Sequence, residues 1–200
     1  MENISKAEQK RLFQFGYHLA FETKSKKKNW HNIFPLWYSA AKAGNKRAQF
    51  YVGMCYDNAL GVDRNIEEAF NWYLKAARQG HMESQYNIGF FYNKGELVKQ
   101  DFKKAIYWYS LAANQGDTEA QRDLGYCYFY GKGLKQNYIK AVYWYKKAAR
   151  KNDSKALYNL GLCYKHGDGV ILSSRWAKYY FEKSKNLGHK EAKKQLKELH

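Results

Sequence analysis

Proline is nearly absent from this 200-residue chain, with Pro35 its single instance. Runs in which Val, Ile and Thr alternate with polar residues are scarce too, which argues against a β-sandwich or barrel and moves the expectation to an all-α fold. No apolar run approaches the roughly 18 residues needed to span a bilayer. The N-terminal MENISKAEQKRLFQFGYHLAF has two acids near its start and no unbroken stretch of signal-peptide length. A soluble, cytoplasmic protein is therefore expected, with export by a signal-independent route left open. Acidic residues are few: 18 Asp and Glu face 35 Lys and Arg, for a net charge of +17. Such a balance favours acidic partners, nucleic acid or anionic surfaces. The excess leans towards the C-terminus, because residues 132 to 200 hold 17 basic and 5 acidic side chains.

What the chain has in abundance is periodicity. Gly53, Gly89, Gly125 and Gly161 are spaced 36 residues apart, and the same interval connects Tyr56, Tyr92, Tyr128 and Tyr164. Ala69, Ala105, Ala141 and Ala177 keep it, as do Trp72, Trp108 and Trp144. A fixed period of this size marks a repeat architecture. Within each unit two helical stretches are predicted. Ala120, Leu124, Cys127 and Tyr128 share one face of the first, and Ala141, Trp144, Tyr145 and Ala148 share the inner face of the second. Gly131 and Gly133 supply the left-handed backbone of the turn between them. Gly116-Asp117, Gly80-His81 and Asn152-Asp153 read as a helix stop followed by the next N-cap. An earlier, degenerate unit contains Gly16, one residue out of register, and Ala40, Ala41 and Gly44, which are in register. Pro35 falls inside its second helix, which is expected to start late or kink.

The hydrophobic-Gly-x-x-Tyr core, the Gly-x-Gly loop and the Ala-x-x-Trp-Tyr-x-x-Ala-Ala second helix resemble the Sel-one-like repeat, a relative of the tetratricopeptide repeat with a longer turn between its helices. The resemblance covers residues 46 to 189 strongly and 8 to 45 weakly. It implies a right-handed α-solenoid of about five helix-turn-helix repeats. The degenerate repeat is 8–45, the clear repeats are 46–81, 82–117, 118–153 and 154–189, and 190–200 is a C-terminal capping segment. The first-unit loop Ala59-Leu60-Gly61, Leu97 in the second, and Tyr180 and Ser184 in the last depart from the pattern, as solenoid ends do.

In such an array most rings are structural. Trp108, Tyr109 and Tyr128 recur in phase with small residues, as an interlocking hairpin face requires, whereas a base-stacking platform needs no glycine counterpart. Binding residues are expected where the repeat rule is silent. On the first helices, expected to line a concave groove, three such columns exist: Phe50, Tyr86, Arg122, Tyr158; Met54, Phe90, Tyr126, Leu162; and Asp57, Asn93, Phe129, Lys165. Their rings suit protein contact at low entropic cost, with Arg122 and Lys165 placed to pair with acids on a ligand. The competing reading makes these rings buried filler between units. The basic side chains Lys140, Lys146, Lys147, Arg150 and Lys151, with Lys190, Lys193, Lys194 and Lys197, form either a solvated outer face or a patch for an acidic protein or phosphates.

No catalytic set is discernible. Cys55, Cys127 and Cys163 are at least a hairpin apart, too far for a bridge, and read as reduced core residues. His18, His31, His81, His166, His189 and His200 show no ligand spacing, and His81 and His189 share a capping position. Lys165-His166-Gly167-Asp168-Gly169 is a copy of the interhelical turn and lacks the strand a phosphate loop needs. The expectation is a non-enzymatic adaptor, without cofactor or metal, holding an acidic protein or peptide in its groove. Proteins similar to it serve in signalling assemblies, host–microbe contact and as immunity proteins that neutralise a toxin. The alternative is a helical-repeat nucleic-acid binder using the basic C-terminal third, although the columns lack the repeated Asn, Ser and Gln pairs of a base code.

Overall fold

The computed structural model describes residues 4–24 and 28–199; His200 lies outside them. Every regular element among these residues is helical. The order is α1 (Lys6–Tyr17), a π-helical turn (His18–Glu22), α2 (Trp30–Lys42), α3 (Lys46–Asn58), α4 (Ile66–Arg78), α5 (Met82–Lys94), α6 (Phe102–Gln115), α7 (Thr118–Tyr130), α8 (Tyr138–Ala149), α9 (Ser154–His166), α10 (Ser174–Asn186) and α11 (Lys190–Glu198). The chain forms two compact units, one up to Gln100 and one from Asp101. In the first, α1 packs on α2, α2 on α3, α3 on α4 and α4 on α5; in the second, the same succession runs from α6 to α11.

The punctuation read in the sequence sets these boundaries. Asn45, Asn65, Asp117, Asn137 and Asp153 are N-caps whose side-chain oxygens accept from the backbone N–H three residues on, at 2.7 to 3.0 Å. First helices end in left-handed residues, Ala59 with φ 55°, Gly95, Gly131 and Gly167. Second helices of the middle repeats stop at Gly80, Gly116 and Asn152, all with positive φ. Pro35 does not delay its helix. α2 begins at Trp30 behind the Asn29 cap, the place the 36-residue register assigns, and Pro35 lies inside it.

The glycine column has a direct physical cause. A Cβ added at Gly53 would sit 2.7 Å from the Tyr73 ring, and one at Gly125 would sit 2.7 Å from the Tyr145 ring. Gly161 faces Phe181 in the same way, twenty residues on in each case. Tyr145 and Phe181 are fully buried. The close approach of helix to ring explains why small and large residues recur together, and each buried ring contributes about 1.5–3 kcal/mol relative to exposure. Gly16 is met by Trp37, whose Nε1–H also donates to the Phe13 carbonyl at 3.3 Å. That spacing is twenty-one residues. The excess residue falls in the segment containing the π-turn, a geometry that lengthens a helical path by one residue.

A second recurrent tie is polar. Buried Gln49, Gln85 and Gln121 each donate through Nε2 to the carbonyl of Ala41, Ala77 and Ala113, the residue eight positions earlier, at 3.2, 3.2 and 3.0 Å. Each links a first helix to the end of the second helix before it. The fourth repeat has Leu157 at this place.

Candidate functional site

The first column of candidate residues joins one repeat to the next. Phe50 is half-buried and stacks on His81 with ring centroids 4.7 Å apart, and Tyr158 stacks on His189 at 4.4 Å. Arg122 holds the equivalent position between them; its Nη1–H donates to Asp153 at 3.0 Å and its Nε–H to Asp123 at 2.8 Å. In all three cases the partner thirty-one residues on is the N-cap of the next first helix. An N-cap histidine is met by an aromatic ring, and an N-cap aspartate by a guanidinium. Arg122, 15% exposed, is therefore engaged within the chain, which corrects its expected role as the partner of a ligand acid.

The C-terminal helix accounts for two more and covers Tyr158 as well. Lys165 donates through Nζ to Gln195 Oε1 at 2.7 Å and to Glu198 Oε2 at 3.1 Å, both on α11. Leu162 and Tyr158 pack against the apolar cluster that α10 and α11 build around Phe181 and Ala192. The expected binding trio Tyr158, Leu162 and Lys165 is occupied by the chain's own last helix. An unsatisfied apolar face at the end of a repeat array needs such a cover. Met54 packs against the core cluster of the first unit, and Phe129 sets its ring against Tyr138 at 5.0 Å. Both are filler more than anchor.

Two candidates present their rings to solvent: Phe90 and Tyr126 are each 40% exposed. Phe90 and the half-buried Tyr86 line a cleft of about 410 Å³ in the first unit, with Phe91, Asp57, Arg64 and Lys94. Its charges are arranged in a definite way. Arg64 donates through Nε to the Asp57 carbonyl at 3.0 Å, and Lys94 Nζ lies 5.4 Å from the Phe90 ring centroid. Burial pushes the hydroxyl of Tyr73, in the cleft wall, well above the usual tyrosine range, and Asp57 adds to the effect. Two repeats further on, the second unit has the equivalent place, lined by Phe129, Tyr145, Asn159 and Leu162 where the first has Asp57, Tyr73, Asn87 and Phe90. It measures about 20 Å³. The ring of Phe129 stands where Asp57 stands in the open cleft.

Phe91 and Arg64 escaped the sequence reading. The signal for Phe91 was present: the other repeats carry Cys55, Cys127 and Cys163 at its position, so a phenyl ring there breaks the column. Arg64 belongs to another hidden column. Gln100 and Gln136 donate to the carbonyls of Asn93 and Phe129 as Arg64 does to that of Asp57, closing each interhelical loop.

Among the described residues no three His, Cys, Asp or Glu side chains come together to hold a metal ion, and no helix is long and apolar enough to cross a membrane. The cysteines are buried and unpaired, and burial raises the thiols of Cys55 and Cys163 to about 12 and that of Cys127 to about 11.

A chain of helical hairpins locked by ring-on-glycine contacts, with three of the first helices tied by a buried glutamine to the second helix before them, defines a repeat scaffold of the α-solenoid class. It belongs to the Sel1 repeat family, whose pattern matches residues 46–81, 83–117, 118–153 and 154–189. Sel1 repeat proteins generally act as protein-interaction adaptors and are typically non-enzymatic. The solved Sel1 repeat protein from Oxalobacter formigenes is 32% identical, with a TM-score of 0.83 over 94% of this chain and 76% of that one. The uropathogenic Escherichia coli protective antigen c5321, which displays the same fold, is 31% identical with a TM-score of 0.86 over 94% of this chain. This chain spans only 40% of its length. Immunity protein Pa5087 from Pseudomonas aeruginosa shares the fold at 20% identity, with a TM-score of 0.55 over 94% of this chain and 69% of that one. No curated protein matches the sequence.

Proposed function

We propose that the chain is a non-enzymatic adaptor that holds a protein or peptide on the face made by its first helices, with the cleft beside Phe90 as the main contact. The observation that carries this reading is the contrast between two equivalent places. The cleft at Asp57 is open to about 410 Å³, and the one at Phe129 is closed to about 20 Å³. Repeat packing alone requires neither difference. An exposed phenyl ring beside a half-buried tyrosine, rimmed by Arg64, Lys94, Asp57 and Glu96, has the composition of an interface centre, with aromatic area for affinity and charges for orientation. Because neighbouring helices already fix the walls, binding costs the receptor little ordering entropy. The net charge of +17 selects an acidic partner by long-range attraction. In its narrowest form the reading makes the chain an immunity protein and the acidic partner a toxin.

The test is affinity capture from the cells that make the protein, washed at low and high salt and analysed for both protein and nucleic acid. Wild type should retain a protein partner that Phe90→Ala loses, with the melting temperature unchanged because the ring is surface-exposed. An anchor ring of this kind is worth about 2 kcal/mol, or roughly 30-fold in affinity. Equal capture by the variant, or recovery of nucleic acid alone, would overturn the proposal.

A further inference from the structure

A different cleft, of about 360 Å³, opens between α8 and α10 in the second unit. Lys146 and Arg150 line it from α8 and its C-cap, Lys183 lines it from α10, and no carboxylate does. None of the three cations forms an ion pair with another described residue. Three like charges around one concavity repel one another, and that repulsion is relieved when an anion enters. The cleft also has an apolar side. Leu157 replaces the glutamine that ties the earlier repeats together and, with Leu160, forms the buried apolar floor of the cleft. Trp176 and Tyr179, 48% and 41% exposed, complete the lining.

Cations and rings together occur in single-strand nucleic-acid sites, but those need ring faces free to stack. Here Lys183 Nζ already lies 4.8 Å from the Tyr179 centroid, and the Trp176 ring packs against Tyr164, Tyr179 and Tyr180. The Lys183 ammonium group is thus held at the cleft edge by a lining ring, positioned for a point anion more than for a base.

We infer that this cleft binds an acidic peptide segment in which carboxylates flank one large apolar side chain. The apolar group seats on the exposed rings of Trp176 and Tyr179, while the carboxylates meet Lys146, Lys183 and the Arg150 guanidinium, which can grip a carboxylate through two N–H groups. The assignment rests on the reading of the chain as an adaptor for an acidic protein, and adds a second contact on a separate set of helices.

Fluorescence anisotropy on the full chain tests it, with the labelled peptide Glu-Glu-Phe-Glu-Glu as probe and Gln-Gln-Phe-Gln-Gln as its uncharged counterpart. The acidic peptide should bind at least about tenfold more tightly than the uncharged one, and K146Q/R150Q/K183Q should weaken it by at least about tenfold. Trp176→Ala should also weaken it, and Ile171→Ala, at an exposed residue that lines neither cleft, should leave it unchanged. Should the triple variant lose helical circular dichroism, the single exposed change Arg150→Gln carries the test, with a loss of at least about threefold expected. Equal affinity for the two peptides, or full affinity in the charge variants, would overturn the site. So would tighter binding of a ten-nucleotide oligothymidylate that displaces the peptide. A peptide that binds here while partner capture ignores Phe90 would leave this site standing and remove the first-helix reading. Phe90-dependent capture without peptide binding would do the reverse.

Discussion

Replacing Gly125 by alanine sets two well-measured effects against each other. In a helix interior alanine is favoured over glycine by roughly 1 kcal/mol, and Gly125 lies in the middle of α7. Its added Cβ, however, would lie 2.7 and 2.8 Å from Cδ1 and Cε1 of Tyr145 and 3.2 Å from the Ala141 carbonyl oxygen. Carbon atoms in contact prefer about 3.5–4.0 Å. The ring is fully buried and cannot swing to solvent, and the carbonyl belongs to helix backbone. Overpacking of this kind costs about 1–3 kcal/mol. The clash should therefore win by up to about 2 kcal/mol, which for a chain of this size lowers Tm by up to about 8 °C in thermal unfolding followed by circular dichroism. The decisive comparison is the same substitution in a Tyr145→Ala background, where the ring is gone and only helix propensity remains. There Gly125→Ala should raise stability, by up to roughly 1 kcal/mol. The same sign of effect in both backgrounds would refute the claim that the ring dictates the glycine.

Three further outcomes are expected. Arg122→Tyr and Asp153→His should each destabilise by about 1.5–3 kcal/mol, because each breaks a charge-assisted pair. The double variant recreates the Tyr158 and His189 stack and should recover much of the loss in thermal unfolding, and absence of recovery would show that the two pairings are not interchangeable. Burial, aided by Lys46 and Arg47 and opposed by Glu83, holds His81 below the ordinary histidine value. The unfolded chain then takes up the proton first, so this stability is present above about pH 6.5 and lost as pH falls towards the folded value. His81→Asn, which keeps a capping side chain, should flatten urea midpoints across that window. Finally, thiols raised to about 12, 11 and 12 at Cys55, Cys127 and Cys163 should resist alkylation at about pH 8 until urea unfolds the chain. Rapid native labelling of any of them would contradict their burial.

Helices, caps and the ring-on-glycine lock were legible in the sequence because each is a local rule written several times. A glycine repeated at 36-residue intervals and accompanied by a ring twenty residues later has few explanations other than close packing. The site was less legible, for a physical reason. Position in a repeat tells which way a side chain points but not what lies above it, and three of the ten candidates point at α11, the helix that follows the last clear repeat. Arg122 looked available because its acid, Asp153, is thirty-one residues away and is also an N-cap. Helical periodicity shows neighbours three and four residues apart; it is silent about the neighbour across the hairpin stack.

The exceptions within each column therefore carry most of the information about binding. Phe91 breaks a cysteine column and helps to line the open cleft of the first unit, where Asp57 stands in place of a ring. Leu157 breaks a glutamine column, and a second cleft opens there, lined by cations. In both places a residue that stacking could have kept uniform differs, and in both the difference coincides with space beside exposed rings. If these departures were drift at the ends of an array, they would collect at the terminal repeats. Asp57, Phe90 and Phe91 instead belong to the second and third of the five hairpins, and of these departures Leu157 alone lies in the last. Exchanging Asp57 for Phe, as its equivalent Phe129 already shows, should close the first cleft without disturbing the fold.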